Sequence, residues 1–522
     1  MLAFVTNRSF IESRTFDGFR KTVASEFAEI RIVDLGGDVR ANPKLSGTRH
    51  NVFGIQTGVA ISFFVKRTGP KNRCRIFYTR RPELETAEEK LAFLSSAKLA
   101  ALVSEEVRPD AKGNWLNLTH NDFDELLPVI SKESKAAKSG QTQRSIFGLF
   151  SLGVVTARDE WVYDIAADSL ATKVSWLIAA YNADVGKLSN VMDRKRLAES
   201  LDSSIKWSRA VKSDLTKGLR YTFDGAMTVE AMYRPFVKRH LYFDKHLNEV
   251  QYQLPAIFRG GVNPTITFLC VSSSNPLATM VVQQPFDYCL LKMGNGGTQS
   301  LPYWLIGDDG QRTENITDWS LKKFASHYKA GSGRRLPEPT KEAIFHYVYA
   351  ALHDPAYREK YAQNLKRDFP RVPLYGATRA DFWRWADWGR ALMNLHIGYE
   401  QAAPWPLKRT DTPDAKVRAA GQQPKCVLKA DPAACRVVID SETVLDGVPF
   451  EAWACRLGNR CAIDWVLDQH KEKKPKDPTI REKFDSYRFA DHKEAVIDLL
   501  MRVTTVSVET VRIVEAMKSA VR

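Results

Sequence analysis

The side chains best suited to chemistry are cations interleaved with aromatic rings. Tyr233-Arg-Pro-Phe-Val-Lys-Arg-His-Leu-Tyr-Phe-Asp244 alternates Arg234, Lys238, Arg239 and His240 with Tyr233, Phe236, Tyr242 and Phe243, and no acid precedes Asp244. Cations of this kind contact phosphates or read guanine edges, and aromatic faces stack on bases. A strand with one wet and one packed face gives the same alternation, but not the single sign of charge. Upstream, Lys206, Arg209 and Lys212 recur at every third position, so on a helix they share one face, and Lys217 and Arg220 follow them. That stripe is either a solvated face or a track for phosphates. Arg8, beside Asn7, lies just past the apolar strand Leu2–Val5, at the carboxyl end where open α/β sheets place ligands. In Arg456-Leu-Gly-Asn-Arg460 the Gly458–Asn459 pair reads as a turn into a helix, and Arg460 is the one candidate contact.

A second group of aromatics follows Asn51-Val-Phe-Gly-Ile-Gln-Thr-Gly-Val-Ala-Ile61 and includes Phe63 and Phe64. It reads as a hairpin packed against a sheet edge, from which an aromatic could stack on a base extruded from a duplex. Other chemistries find little support. There is no HExxH and no GxSxG, and Met293-Gly-Asn-Gly-Gly297 has neither the strand–turn–helix frame nor the lysine of a phosphate loop. His346 and His353 lie on a helix built for packing. Cys426, Cys435, Cys455 and Cys461 lack the close CxxC pairs of common zinc sites, so no metal is expected.

Lys and Arg number 76 against 61 Asp and Glu, a net charge of +15 that favours a polyanionic partner. Seven sparse cysteines suit a reducing cytoplasm. No secretory signal and no membrane-length apolar run is visible, so no membrane partner is expected.

The elements that position these residues change along the chain. Leu2–Val5, a helical pattern of Phe16, Phe19, Val23 and Phe27, and Ile30–Leu35 make one strand–helix–strand unit of an α/β sheet. Val59–Val65 and Arg75–Thr79 are further strands. Leu84–Val103 reads as a helix with Thr86 and Glu89 as a capping box, and helical patterning continues through Ile165–Tyr181 and Val191–Leu215. From about Gly218 short strand-like runs dominate: Ala256–Phe258, Ile266–Val271 and Tyr288–Leu291. Lys132–Arg144 and Gly331–Arg335 read as basic loops. Helices return at Lys341–Leu352, Ala356–Phe369 and Ala380–Gln401. A strand-rich stretch follows, and helices at Ala462–His470, His492–Val503 and Glu509–Ala520 close the chain.

In order, the strings Asn7-Arg-Ser-Phe10, Phe16-Asp-Gly-Phe-Arg20, Asn51-Val-Phe-Gly-Ile55, Gly58-Val-Ala-Ile61, Tyr233-Arg-Pro-Phe236 with Lys238-Arg239, His346-Tyr-Val-Tyr-Ala350, Leu352-His-Asp-Pro355 and Leu457-Gly-Asn-Arg460 with Asp464-Trp465 span most of the chain. Together they resemble the C-terminal part of the large adenine-N6 DNA methyltransferases of restriction–modification systems, most nearly the Type ISP kind with its C-terminal specificity domain. The resemblance implies a partial Rossmann-like methyltransferase sheet followed by a mixed α+β target-recognition domain with helical additions. It implies residues 1–82 as the C-terminal half of a methyltransferase domain, 83–215 as a mainly helical spacer, 216–470 as the target-recognition domain, and 471–522 as helices packing on it.

The same resemblance implies double-stranded DNA as partner, with Arg8, Lys206, Arg209, Lys212, Arg234, Lys238, Arg239 and Arg460 as DNA contacts and Phe64 as a base-stacking residue. In that family a glycine turn for S-adenosylmethionine and a catalytic Asn-Pro-Pro-Tyr precede the segment that this chain resembles. Neither is found here, and Asn42-Pro43-Lys44 and Asn263-Pro264-Thr265 are no substitutes. The expectation is therefore that the cofactor is bound mainly by a complementary N-terminal methyltransferase half, and that this chain alone is inactive with no catalytic residue of its own. The alternative expectation is a free-standing DNA-binding module or inactive remnant.

Overall fold

Val59–Val65, read as following a hairpin packed against a sheet edge, is instead an internal strand. In the computed structural model this strand, β3, lies between β1 (Leu2–Asn7) and β2 (Glu29–Gly36), antiparallel to both. Beyond β2 come β4 (Arg75–Arg80), parallel to it, and β5 (Glu105–Val107), antiparallel to β4. Since β1 and β2 both oppose β3, they run in the same direction with the Asp17–Glu26 helix between them in sequence. The expected strand–helix–strand unit is present, but β3 separates its strands. A Rossmann-like parallel sheet is not evident, because β2–β4 is the one parallel pairing among the described strands of this sheet. Ile30, Ile32, Phe64 and Ile76 from the strands meet Phe10, Ile11, Val23 and Trp115 in the core of this unit. The helix after β4 runs over Ala87–Ser96, shorter than predicted, and opens with the predicted box: Glu89 N–H donates to Thr86 Oγ1 and Thr86 N–H to Glu89 Oε2.

The structure describes residues 1–38, 48–67, 73–82, 84–109, 113–116, 121–130, 144–188, 200–270, 276–291, 296–329 and 336–522. They fall into two units, one comprising Met1–Asp124 and the other chiefly Glu125–Cys270 and Asn275–Arg522. Residues 83–215, expected as one spacer, are divided between the two. The predicted basic loop at Lys132–Arg144 lies outside the described residues except for Arg144, and Gly331–Arg335 lies wholly outside them.

The second unit is mixed α/β with several small sheets. Thr228–Arg234 and Val237–Tyr242 form a hairpin, turned at Pro235-Phe236 with Phe236 at φ 60, and Tyr163–Asp164 pairs with its second strand. One four-stranded sheet joins Ala278–Val282, Thr265–Leu269, Gln299–Pro302 and Ser151–Leu152, and another joins Lys408–Asp411, Thr443–Asp446, Arg436–Asp440 and Cys426–Asp431. Around them lie helices Ala167–Leu188, Lys341–His353, Arg379–Ile397, Ala462–His470 and Lys493–Met517. Gly389 lets Lys341–His353 and Arg379–Ile397 approach closely: a Cβ there would sit 1.8 Å from the His346 carbonyl oxygen.

Several local readings differ from the structure: Tyr288–Leu291, expected as strand-like, is a turn, and Ala356–Phe369 is two short helices, Pro355–Lys360 and Ala362–Leu365. Ala256–Phe258, predicted as strand, belongs to a short helix over Leu254–Ile257 started by Pro255, whose missing N–H costs nothing in a first turn. The two final helices are one, because Thr504 and Ser507 return their hydroxyls to the Leu500 and Val503 carbonyls and the helix passes through them.

Candidate nucleic-acid interface

The hairpin was expected to offer its cations to a partner. Instead Arg234, Lys238 and Arg239 each have an acceptor on the fold. Arg234 donates from Nη1 to Asp287 Oδ1 at 2.7 Å and lies over the Tyr233 ring at 3.9 Å. The Tyr233 hydroxyl donates to Asp159, and Thr156 donates to the same carboxylate. Burial pushes the Asp287 carboxyl up to about 6; Arg234 opposes that shift and Asp159 adds to it. Lys238 lies between Glu400 at 2.6 Å and Glu230 at 2.9 Å. Arg239 donates to the Gln469 carbonyl at 2.7 Å, and burial pulls its pKa below the ordinary guanidinium value. The geometry thus corrects the reading of Arg234, Lys238 and Arg239 as free contacts: Arg234 and Arg239 are turned toward neighbouring elements, and Lys238 is held in a surface pair with two acids.

The segment before the hairpin is arranged differently. Its helix begins at Arg209 and runs to Thr216, capped by Ser208, so Lys206 precedes the helix and does not share its face. Arg209 and Lys212 do share one. Lys206, Arg209, Lys212, Lys217 and Arg220 are all exposed, and the Arg209 side chain is 86% accessible. Within 200–220 these five cations face two acids, Asp202 and Asp214. Asp214 is engaged by His246 at 2.8 Å and by the Tyr221 hydroxyl at 3.0 Å. Of the positions predicted for DNA, this is where the structure leaves a local surplus of positive charge.

In the first unit, Arg8 is buried. Its Nε donates to both Asp34 oxygens at 3.0 and 2.9 Å, and Nη1 donates to Glu12 at 2.8 Å. Burial opposes its charge, but Asp34 and Glu12 outweigh burial and raise its pKa. Phe64 is 1% exposed, stacked on Phe4 with centroids 5.2 Å apart and met by Phe27 edge-on. It is a core residue of β3, so in this conformation neither ring face is open to a base. The exposed aromatic of the same motif is Phe53, 61% accessible. Its turn is organised by buried Asn51, which donates to the Gly37 and Thr57 carbonyls and accepts from the Phe53 and Ile55 N–H groups. Arg20, in the Phe16-Asp-Gly-Phe-Arg20 string, is likewise internal, donating to the Phe10, Ser13 and Gly113 carbonyls.

Arg460 is half-buried, paired with Asp468 at 3.2 Å and placed over Trp465. All seven cysteines are free thiols. Among the described residues no group of three or more His, Cys, Asp or Glu is placed to hold a metal, and no helix is long and apolar enough to cross a membrane.

Sequence reasoning missed a cluster beside the exposed cations. Arg158, 4% exposed, donates from Nη2 to Ser208 Oγ at 2.6 Å, while its Nε and Nη1 have no partner. Burial lowers its pKa to about 10. Glu249 accepts from the Ala210 N–H and from Arg209 Nε, both at 3.2 Å. Nothing in the spacing links Arg158 to Glu249. The antiparallel pair Val155–Val250, with N–H···O distances of 2.8 and 3.0 Å, brings them together.

Several solved structures share this architecture. A chain of the cryo-EM DrdV–DNA complex matches with a TM-score of 0.84 and 44% identity over 100% of this chain and 50% of its own length. A nuclease-deletion mutant of the Type ISP restriction–modification enzyme LlaGI, in complex with a DNA substrate mimic, matches with a TM-score of 0.77 and 26% identity, covering 99% of this chain and 46% of the other. The ATP-dependent Type ISP restriction–modification enzyme LlaBIII, bound to DNA, has the same fold at a TM-score of 0.77 and 22% identity, covering 100% of this chain and 33% of its own. The chain therefore spans half or less of each of these proteins. No curated protein matches it. Residues 145–499, which contain the hairpin, the exposed cations and Arg460, match the Type ISP C-terminal specificity domain, and the chain belongs to that family.

Proposed function

We propose that this chain reads a short target in duplex DNA for a restriction–modification enzyme that methylates adenine at N6. The observation that carries the reading is the family match over 145–499, supported by 44% identity along the whole chain to a protein solved with DNA. The exposed cations between Lys206 and Arg220 supply the phosphate contacts, which fix register on the duplex without reading sequence. S-adenosylmethionine and the catalytic loop belong to a methyltransferase part with which this chain acts, since none of the 522 residues forms an Asn-Pro-Pro-Tyr.

Binding of a labelled duplex by the purified chain over a salt series tests the reading. Each neutralised phosphate releases a counterion, so affinity should fall steeply with salt, by a slope of about 0.9 per phosphate contacted. Absent or salt-independent binding would overturn it. The purified chain with S-adenosylmethionine should transfer no methyl group to DNA; incorporation by the chain alone would refute the assignment of catalysis elsewhere.

A further inference from the structure

The Arg158–Ser208–Glu249 cluster is built like an occupied anion site. The helix Arg209–Thr216 directs its Ala210 N–H to a point where the helix dipole favours negative charge, while its Val211 N–H goes to Ser208 Oγ. The Glu249 carboxylate occupies that point, on the Ala210 N–H and Arg209 Nε, with a side chain 12% exposed. Ser208 Oγ accepts from Arg158 Nη2, and, against the effect of burial, Ser208 is among the groups that hold the Glu249 carboxyl below its ordinary range. Behind it, two nitrogens of the buried Arg158 guanidinium meet no acceptor. A buried cation with unmet donors calls for negative charge nearby, and a single carboxylate shared with exposed Arg209 supplies it incompletely. Lys206 and Lys212 flank the site in solvent.

We propose that Ser208 Oγ, the Ala210 N–H and the Arg209 guanidinium, backed by Arg158, form a binding site for one phosphodiester of duplex DNA, and that Glu249 is an internal placeholder that the phosphate displaces. The inference rests on the DNA-recognition reading above and adds a defined site to it. Without DNA, Glu249 neutralises Arg209 and keeps the helix start occupied. With DNA, the phosphodiester, which carries the same single negative charge as the carboxylate, takes over those donors.

Two measurements on the full chain test this. In the first, Glu249→Gln removes the competing charge while keeping a side chain of the same shape. Duplex affinity should rise about threefold to tenfold, and the salt slope should steepen by about one contact. Unchanged or weaker binding by a variant that melts like the wild type overturns the site. The second uses the wild type, so it does not depend on the variant folding. Arginine-directed dicarbonyl labelling, read by mass spectrometry, should modify Arg209 in the free chain and spare it in the presence of the duplex. Equal labelling of Arg209 with and without bound duplex overturns the site and leaves the DNA-recognition reading standing. A wild-type chain that binds no duplex overturns both.

Discussion

Two basic segments lie next to each other in the chain and are treated in opposite ways. In 206–220 the cations stand in solvent, and the nearest acid in sequence, Asp214, is engaged by Tyr221 and His246. In 228–242 there are three Lys and Arg against five in 206–220, and Arg234, Lys238 and Arg239 each reach an acceptor on the fold. The difference lies in neighbours more than in number. A hairpin strand covered by further elements must give each inward cation a partner, because leaving one unpaired costs several kcal/mol. A short helix at the surface has no such obligation. Charge density in sequence therefore marks where cations are, but the packing decides which remain available to a polyanion.

The largest break in this comparison comes from Arg234→Ala. The partner left behind, Asp287, is buried, and removing one member of such a pair costs about 3–5 kcal/mol. Denaturant unfolding should show that loss, with duplex affinity per folded molecule unchanged. Wild-type stability combined with lost DNA binding would return Arg234 to the interface and dissolve the contrast.

The same pair has a pH signature. The Asp287 carboxyl holds its proton up to about 6 in the fold, above the ordinary carboxylate range, chiefly because it is buried. The folded state thus binds more protons than the unfolded chain between about pH 4 and 6, and stability falls as pH rises through that window. The contribution is present in full below about pH 4 and is lost above about 6, and it is on the order of 3 kcal/mol. Asp287→Asn should flatten this slope in unfolding curves taken across the window. The penalty of Arg234→Ala should shrink toward the acid end, where Asp287 no longer needs a counter-charge.

Much of the local structure was legible. The Thr86–Glu89 capping box and the limits of helix Ala462–His470 are as predicted, because short-range spacing determines both. The apolar run of β3 announced a strand; it lies between two others, with one face buried and the other half-buried. What could not be read was which face of an element meets which neighbour. Phe64 sits near an aromatic position implied by the resemblance, yet it packs on Phe4 and Phe27 in the core, while Phe53 of the same motif is exposed. The nearness of Arg158 to Glu249 depends on a long-range pairing at Val155 and Val250 that no local pattern encodes. Family strings pointed to a basic region but did not separate cations that hold the fold from cations left exposed.

The exposed segment gives the third test. Replacing Arg209 and Lys212 together by Ala should cost up to about 1 kcal/mol of stability, because Arg209 is the counter-charge of Glu249, whose side chain is 12% exposed. It should lower duplex affinity across all sequences and reduce the salt slope by about two contacts. A loss confined to one target sequence would mean that these side chains read bases, not phosphates.

The smallest effect is expected at Lys206, and it divides the segment itself. Lys206 lies before the Ser208 cap, off the helix that carries Arg209 and Lys212, so its ammonium group is held by no helical face. A flexible cation of this kind adds general attraction more than a fixed contact, and it is readily screened by salt. Lys206→Ala should therefore weaken duplex binding measurably only at low ionic strength, with a slope change below one contact and no change in melting. A slope change as large as that of Arg209 would show that the phosphate track starts ahead of the helix. In that case the spacing of three seen in the sequence would reflect the path of the DNA backbone rather than one helical face.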